Sequence, residues 1–158
     1  MQYAPSPIEP ESVFAGLRWT PILLGGALDN FLSMLVMLPL TFVFAGTDAL
    51  SGDEEKSAQA IDQVIASPEF LLASLVTGTA ITVFAGYWAA SRAGQKQLHH
   101  GGWTAVSSAA IALLLLVALS APDDPPIPLW YQVVGWLVIL PAGLAGGWIA
   151  SEKASPAA

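Results

Sequence analysis

Residues 19–45 read WTPILLGGALDNFLSMLVMLPLTFVFA, an apolar run in which Asp29 is the one ionisable side chain. Three more runs of this kind follow, at 70–90, 103–121 and 129–150, and none of them holds a charged residue. Each is about 20 residues or longer, which at about 1.5 Å per helical residue covers the roughly 30 Å of hydrocarbon in a bilayer. A backbone in lipid must satisfy its own hydrogen bonds, and no run alternates with period two as a barrel strand would, so the runs predict helices. The expected fold is all-α: an integral membrane four-helix bundle, one transmembrane domain over 1–158, with spans near 19–45, 69–91, 102–121 and 129–150.

Composition agrees with this reading. Only 11% of the side chains are charged and mean hydropathy is +0.61, too apolar for a soluble domain of this size. Cysteine is absent, which excludes disulfides and thiolate metal sites. The start, MQYAPSPIEPES, has no basic residue before Arg18 and so lacks the charged opening of a secretory signal; it reads as a short, unstructured, retained tail. Pro39 and Pro141 fall inside the first and fourth spans and predict kinks. The first run exceeds what a bilayer needs, so it either tilts or lies at the surface beyond Pro39.

Orientation follows from the basic residues. Arg18 precedes the first span, Arg92 and Lys96 lie between the second and third, and Lys153 follows the fourth, all on one side; that side is expected to be cytoplasmic, with both termini on it. The opposite loops carry Asp48, Asp53, Glu54, Glu55, Asp62, Glu69, Asp123 and Asp124 against Lys56 alone. Trp19, Trp88, Trp103 and Trp148 mark the basic ends of the spans, and Trp130 with Tyr131 an acidic end, as expected of aromatic residues at the headgroup boundary. Only Trp136 sits deeper. In the outer loop 46–68, Ser51 and Glu54 have the spacing of a capping box, and Ala58, Ile61, Val64 and Ile65 share one helical face. A short amphipathic surface helix ending before Pro68 is predicted there.

Residues 67–92 and 127–152 align at a constant offset of 60: Pro68 with Pro128, Ala85-Gly86 with Ala145-Gly146, Trp88 with Trp148, and Ala90-Ser91 with Ala150-Ser151. The chain therefore reads as two tandem helical hairpins of like orientation, related by a pseudo-axis along the membrane normal.

Few residues carry chemistry. Asp29 lies 11 residues beyond Arg18, about 16 Å into the membrane, where a carboxylate costs about 2.5–3.5 kcal/mol and must face protein or water. Gly25, Gly26, Asn30 and Ser33 are close to it in helical spacing. On the second span Gly78, Thr82 and Gly86 recur every four residues beside Thr79, with Thr82 at nearly the depth of Asp29. These stripes are expected to pack together, with Thr79 or Thr82 bonding Asp29 or Asn30. Asp29 is then either a protonatable site for ion or proton movement or a clasp between helices. Gly143 and Gly147 form GxxxG on the fourth span and predict close helix contact, within the bundle or between protomers. His99 and His100, beside Gly101 and Gly102, read as a solvated inner loop and not as a metal site.

No phosphate loop, GxGxxG, HExxH or paired nucleophile and base is present, so no enzyme activity and no cofactor are expected. Five basic residues scattered singly give no nucleic-acid surface. The segments RWTPILLGGALDN (18–30), AGYWAASR (85–92) and LPAGLAGGWIAS (140–151) resemble a family of small, uncharacterised four-helix bacterial inner-membrane proteins. That resemblance implies a bacterial inner-membrane location and supplies no activity. The function expected from the sequence is non-catalytic: helix packing in lipid, by self-association or as an accessory subunit of another membrane protein. The alternative is a small oligomeric transporter or channel built around Asp29.

Overall fold

The computed structural model describes residues 14–119 and 127–154, and every element among them is helical. The helices are α1 (Trp19–Ala45), a 3-10 turn (Gly46–Leu50), α2 (Glu54–Ile65), α3 (Pro68–Ala93), α4 (Gln97–Leu119) and α5 (Leu129–Ala154). Four of the five α-helices, all but α2, are long and apolar enough to cross a membrane. The N-terminal tail and Asp123-Asp124, both singled out in the sequence, lie outside the described residues.

Local chemistry sets the boundaries. Ser67 caps α3 by accepting the Phe70 N–H at 3.3 Å, with Pro68 pre-set for the first turn. Gly94, left-handed at φ 73°, ends the same helix, with Arg92 in the last turn beside the negative end of the helix dipole. Both α1 and α5 run unbroken through Pro39 and Pro141. The amphipathic surface helix predicted in the outer loop is α2, which buries no residue fully. Its cap differs from the capping box read at Ser51 and Glu54. The Asp53 carboxylate takes that place, accepting the N–H groups of Glu55 at 3.1 Å and Lys56 at 3.3 Å, since a charge-assisted acceptor beside the exposed N–H groups outcompetes a hydroxyl two residues earlier.

The inner loop is the larger correction. His99 and His100 are not in a loop: α4 begins at Gln97 and includes both, with His99 exposed as expected and His100 buried at 0% exposure. Its Nε2 accepts the Arg18 backbone N–H at 3.0 Å, which leaves Nδ1 as the protonated nitrogen, 3.0 Å from the Lys96 carbonyl. Gly101 and Gly102 are likewise buried on α4. The imidazole thus ties the start of α1 to the turn between α3 and α4. Arg18 adds bonds from its guanidinium to the carbonyls of Arg92 and Ala93, at 3.2 and 3.4 Å. His100→Ala is expected to lower stability by about 2 kcal/mol, from a lost bond and a cavity. A melting curve and faster tryptic cutting after Arg18 would register it; an unchanged cutting rate would refute the tie.

α1 touches α3 and α4, α5 touches α3 and α4, α3 touches α4, and α1 and α5 do not meet. A two-fold axis relating the hairpins α1–α3 and α4–α5 would make the α1–α5 and α3–α4 pairs equivalent. They are not, so the pseudo-axis expected from the repeat is absent. The hairpins lie side by side, α1 against α4 and α3 against α5, as a lateral shift would place them. The repeated Gly and Trp positions instead mark equivalent ends of two parallel helices.

At the end of the bundle that carries Arg18, Arg92, Lys96 and Lys153, called the basic end below, packing is backbone to backbone. A Cβ added at Gly86 would lie 2.7 Å from the Gly143 carbonyl oxygen, and one at Gly147 2.6 Å from that of Gln97. Gly25 meets Thr104 and Ala89, at 2.8 and 2.9 Å by the same measure. The buried apolar residues are mostly alanine, whereas the large ones point outward, Leu38 at 66% exposure and Val117 at 76% among them. This inverts the distribution of a soluble protein, since close contact comes from small residues and the outer face is the greasy one. At the basic end, Trp103 packs with Phe14 and Trp19 at centroid distances of 5.2 and 6.0 Å. Arg92 lies 4.9 Å over Trp88 and Lys153 4.7 Å over Tyr87.

Candidate functional site: a polar-floored cavity between the helices

The buried face of α1 consists of Pro21, Ile22, Gly25, Gly26 and Asp29, one stripe at helical spacing. Up to Gly26 the stripe meets small residues of α3 and α4, which approach closely. At Asp29 the packing stops and a cavity of about 610 Å³ begins, walled by α1, α3, α4 and α5 and extending toward the acidic end. Asp29 is its floor and is 3% exposed.

The carboxylate accepts hydrogen bonds from two other helices. Thr82 Oγ1 on α3 lies 3.2 and 3.1 Å from the two carboxylate oxygens, and Ser108 Oγ on α4 donates to Oδ2. Thr82 has an alternative, the Gly78 carbonyl at 3.1 Å; with a single proton it serves one acceptor at a time. Asn30 Nδ2 bonds the Gly26 carbonyl at 2.9 Å, the Ser108 carbonyl at 3.1 Å and Ser108 Oγ at 3.2 Å. A directed chain results: Asn30 donates to Ser108, which donates to Asp29. Asp29 has no ion-pair partner among the described residues, where the one salt bridge is Lys56–Asp53 at 3.8 Å on the surface. Ser107 Oγ, one residue away on α4, is buried without a hydrogen bond among the described residues.

Further toward the acidic end a second polar pair lines the wall: Ser74 Oγ on α3 and the Tyr131 hydroxyl on α5, 3.0 Å apart. The remaining surface is largely apolar, from Leu75, Ala109, Ala112, Trp136 and Ile139.

Of the polar residues singled out in the sequence, Asp29, Asn30, Ser33, Thr79 and Thr82 all line this cavity. Thr82 is the one that bonds Asp29; Thr79 turns its hydroxyl to the Leu75 carbonyl of its own helix at 2.7 Å. Gly25, Gly26, Gly86, Gly143 and Gly147 lie in close contacts within the chain, but Gly78 does not: a Cβ there would meet nothing within 4 Å. The four-residue spacing holds it on the Thr82 face, and on that face α3 has by then parted from its neighbours, so Gly78 opens to the cavity. Sequence reasoning missed Ser108, Ser74 and the inward role of Tyr131. The available signal was Thr104 and Ser108, four residues apart on one face of a span made mostly of aliphatic residues.

The Thr82 and Ser108 hydroxyls point at the carboxylate, those of Ser74 and Tyr131 at each other, and no His, Cys or Lys lines the cavity among the described residues. No group of three or more His, Cys, Asp or Glu among the described residues could hold a metal ion. Comparison of the chain with family models, with curated proteins and with solved structures returns no match.

Proposed function

We propose that the chain is a multi-pass protein of a bacterial inner membrane, both termini cytoplasmic, that binds a small solute entering from the opposite side, with Asp29 as the binding group. The membrane reading is supported by the outward-facing Leu, Val and Phe of the four long helices and by the basic end with its Trp belt. One observation carries the solute reading: a carboxylate without a countercharge, oriented by hydroxyls from two helices, forms the floor of a cavity of about 610 Å³. Small-molecule sites fall at about 300–1,000 Å³, apolar-walled with a few convergent polar groups. The cavity ends at Asp29, because beyond it Gly25, Gly26 and their neighbours pack without space; this favours a binding site or carrier over a pore within one chain.

The packing-subunit reading drew on glycine faces, small extramembrane mass and missing chemistry; of its glycines, Gly25, Gly26, Gly86, Gly143 and Gly147 find their contacts inside the bundle, and Gly78 borders the cavity. The solute reading is therefore preferred. Native cysteine is absent, so a single Gly78→Cys thiol reports on access. In right-side-out vesicles it is expected to react with a charged, membrane-impermeant thiol reagent added outside. Leu137→Cys, at an outward-facing position 69% exposed, is expected to stay silent, because a thiol in hydrocarbon does not ionise. No reaction at Gly78→Cys would sink the reading.

A further inference from the structure

We propose that the solute is a lipophilic monocation: an organic ammonium or similar charge-diffuse cation with an apolar body. This rests on the solute-binding reading above and goes beyond it by naming the chemical class.

Charge comes first. Among the described residues, the floor of the cavity is a carboxylate with no Lys, Arg or His against it, and Tyr131 is the one other titratable group on its walls. An anion would have to be desolvated next to Asp29 without a compensating positive group, which excludes that class on energetic grounds. The approach has the same sign: Asp48, Asp53, Glu54, Glu55, Asp62 and Glu69 all belong to the acidic end, toward which the cavity extends. Such a field concentrates cations near the mouth.

Size and wall chemistry then separate an organic cation from a metal ion. A hard metal ion takes about six oxygen ligands at 2.0–2.6 Å in a compact cage. Here Asp29 is the single carboxylate, Asn30 turns its amide nitrogen toward Ser108, and the space is many times the volume of an ion. Most of it is bounded by aliphatic side chains and by Tyr131 and Trp136, surfaces that favour an apolar body and, through the ring faces, a weakly hydrated cation. A neutral solute would leave the carboxylate without a countercharge. Only a cation with an apolar body uses both the floor and the walls.

The test uses the full-length Gly78→Cys chain in nanodiscs of zwitterionic lipid, reading the rate of thiol modification by a small neutral reagent. Three probes share one shape: benzyltrimethylammonium, its uncharged isostere neopentylbenzene, and phenylmethanesulfonate. Benzyltrimethylammonium is expected to slow modification in a saturable manner, at concentrations about tenfold or more below those at which either other probe acts, the weight of one charge-assisted contact. Asp29→Asn in the same background is expected to weaken protection by the cation about 10- to 100-fold. Equal protection by the neutral isostere, or none by the cation on a thiol that does react, overturns the cation assignment and leaves the cavity as a solute site. A thiol that never reacts overturns the underlying reading as well. The comparison of probes needs no variant at Asp29, so a folding defect in Asp29→Asn leaves the test decisive.

Discussion

Gly146→Ala is expected to cost about 3 kcal/mol or more, enough to leave little folded protein after extraction, although the change adds one methyl group. A Cβ at Gly146 on α5 would run into the Val83 carbonyl oxygen of α3, lie 2.5 Å from the Tyr87 nitrogen and 3.0 Å from the Gly86 carbonyl carbon. All three are backbone atoms, so no side chain can swing aside. The two helices must move apart, and Gly86, which meets the Gly143 backbone across the same α3–α5 contact, loses its approach as well. The matched control is Gly78→Ala on α3. With nothing within 4 Å of the added Cβ, the expected change is neutral, or a gain of up to about 1 kcal/mol from the better helix former. Melting temperatures of the two variants in the same detergent check the contrast. Equal losses would mean that glycine flexibility, and not contact distance, is what the bundle uses.

That contrast also shows where sequence information stops. Gly78 and Gly86 have the same signature, a glycine on one face of an apolar helix, yet one is in backbone contact and the other borders empty space. Whether two helices touch at a given depth depends on how far their axes have diverged, which no local pattern encodes. The positions of the four helices were legible because hydrocarbon thickness imposes a length and forbids charge. The Asp29–Thr82 bond was legible because both residues could be counted inward from basic residues at one end. Ser108 was not, since a serine in a membrane helix satisfies itself on its own backbone and carries no mark of its partner. His100 to Gly102 misled for a related reason: glycines beside polar residues look the same whether they make a turn or a contact. Arg18, the partner that draws His100 inward, lies 82 residues away in sequence.

The side-by-side hairpins explain why a cavity forms at one end alone. α1 and α5 sit across the bundle and do not meet. At the basic end α3 and α4 fill the space between them, because Ala85, Ala89, Ala105 and the glycines let backbones converge. Toward the acidic end Gly78, Ala109, Ala112 and Gly135 are equally small, yet the helices there stand apart, so small residues that close one end leave the other hollow. Asp29 marks the boundary between the closed end and the hollow one.

Asp29→Asn is expected to keep or raise stability while weakening solute binding about 10- to 100-fold, and the magnitudes decide between a clasp and a working group. A carboxylate near the middle of a membrane helix costs about 2.5–3.5 kcal/mol to insert. As a clasp it would have to offset that through two hydroxyl bonds, and such bonds between membrane helices contribute about 0.6 kcal/mol each, about 1.7 at most. Thr82 contributes less than its share, because on loss of Asp29 its proton falls back to the Gly78 carbonyl, 3.1 Å away. The clasp therefore does not recover its cost, whereas an amide of the same shape still accepts a bond without the charge. The expected gain for Asp29→Asn is about 1 kcal/mol, with a coupling to Thr82→Val below about 1 kcal/mol in a double-mutant cycle. A loss of about 2 kcal/mol or more in Asp29→Asn, with strong coupling to Thr82 and Ser108, would make Asp29 a structural clasp. Stability retained with binding weakened would instead place it with those buried charges that a fold tolerates for what they bind, the usual relation between a strained site and its function.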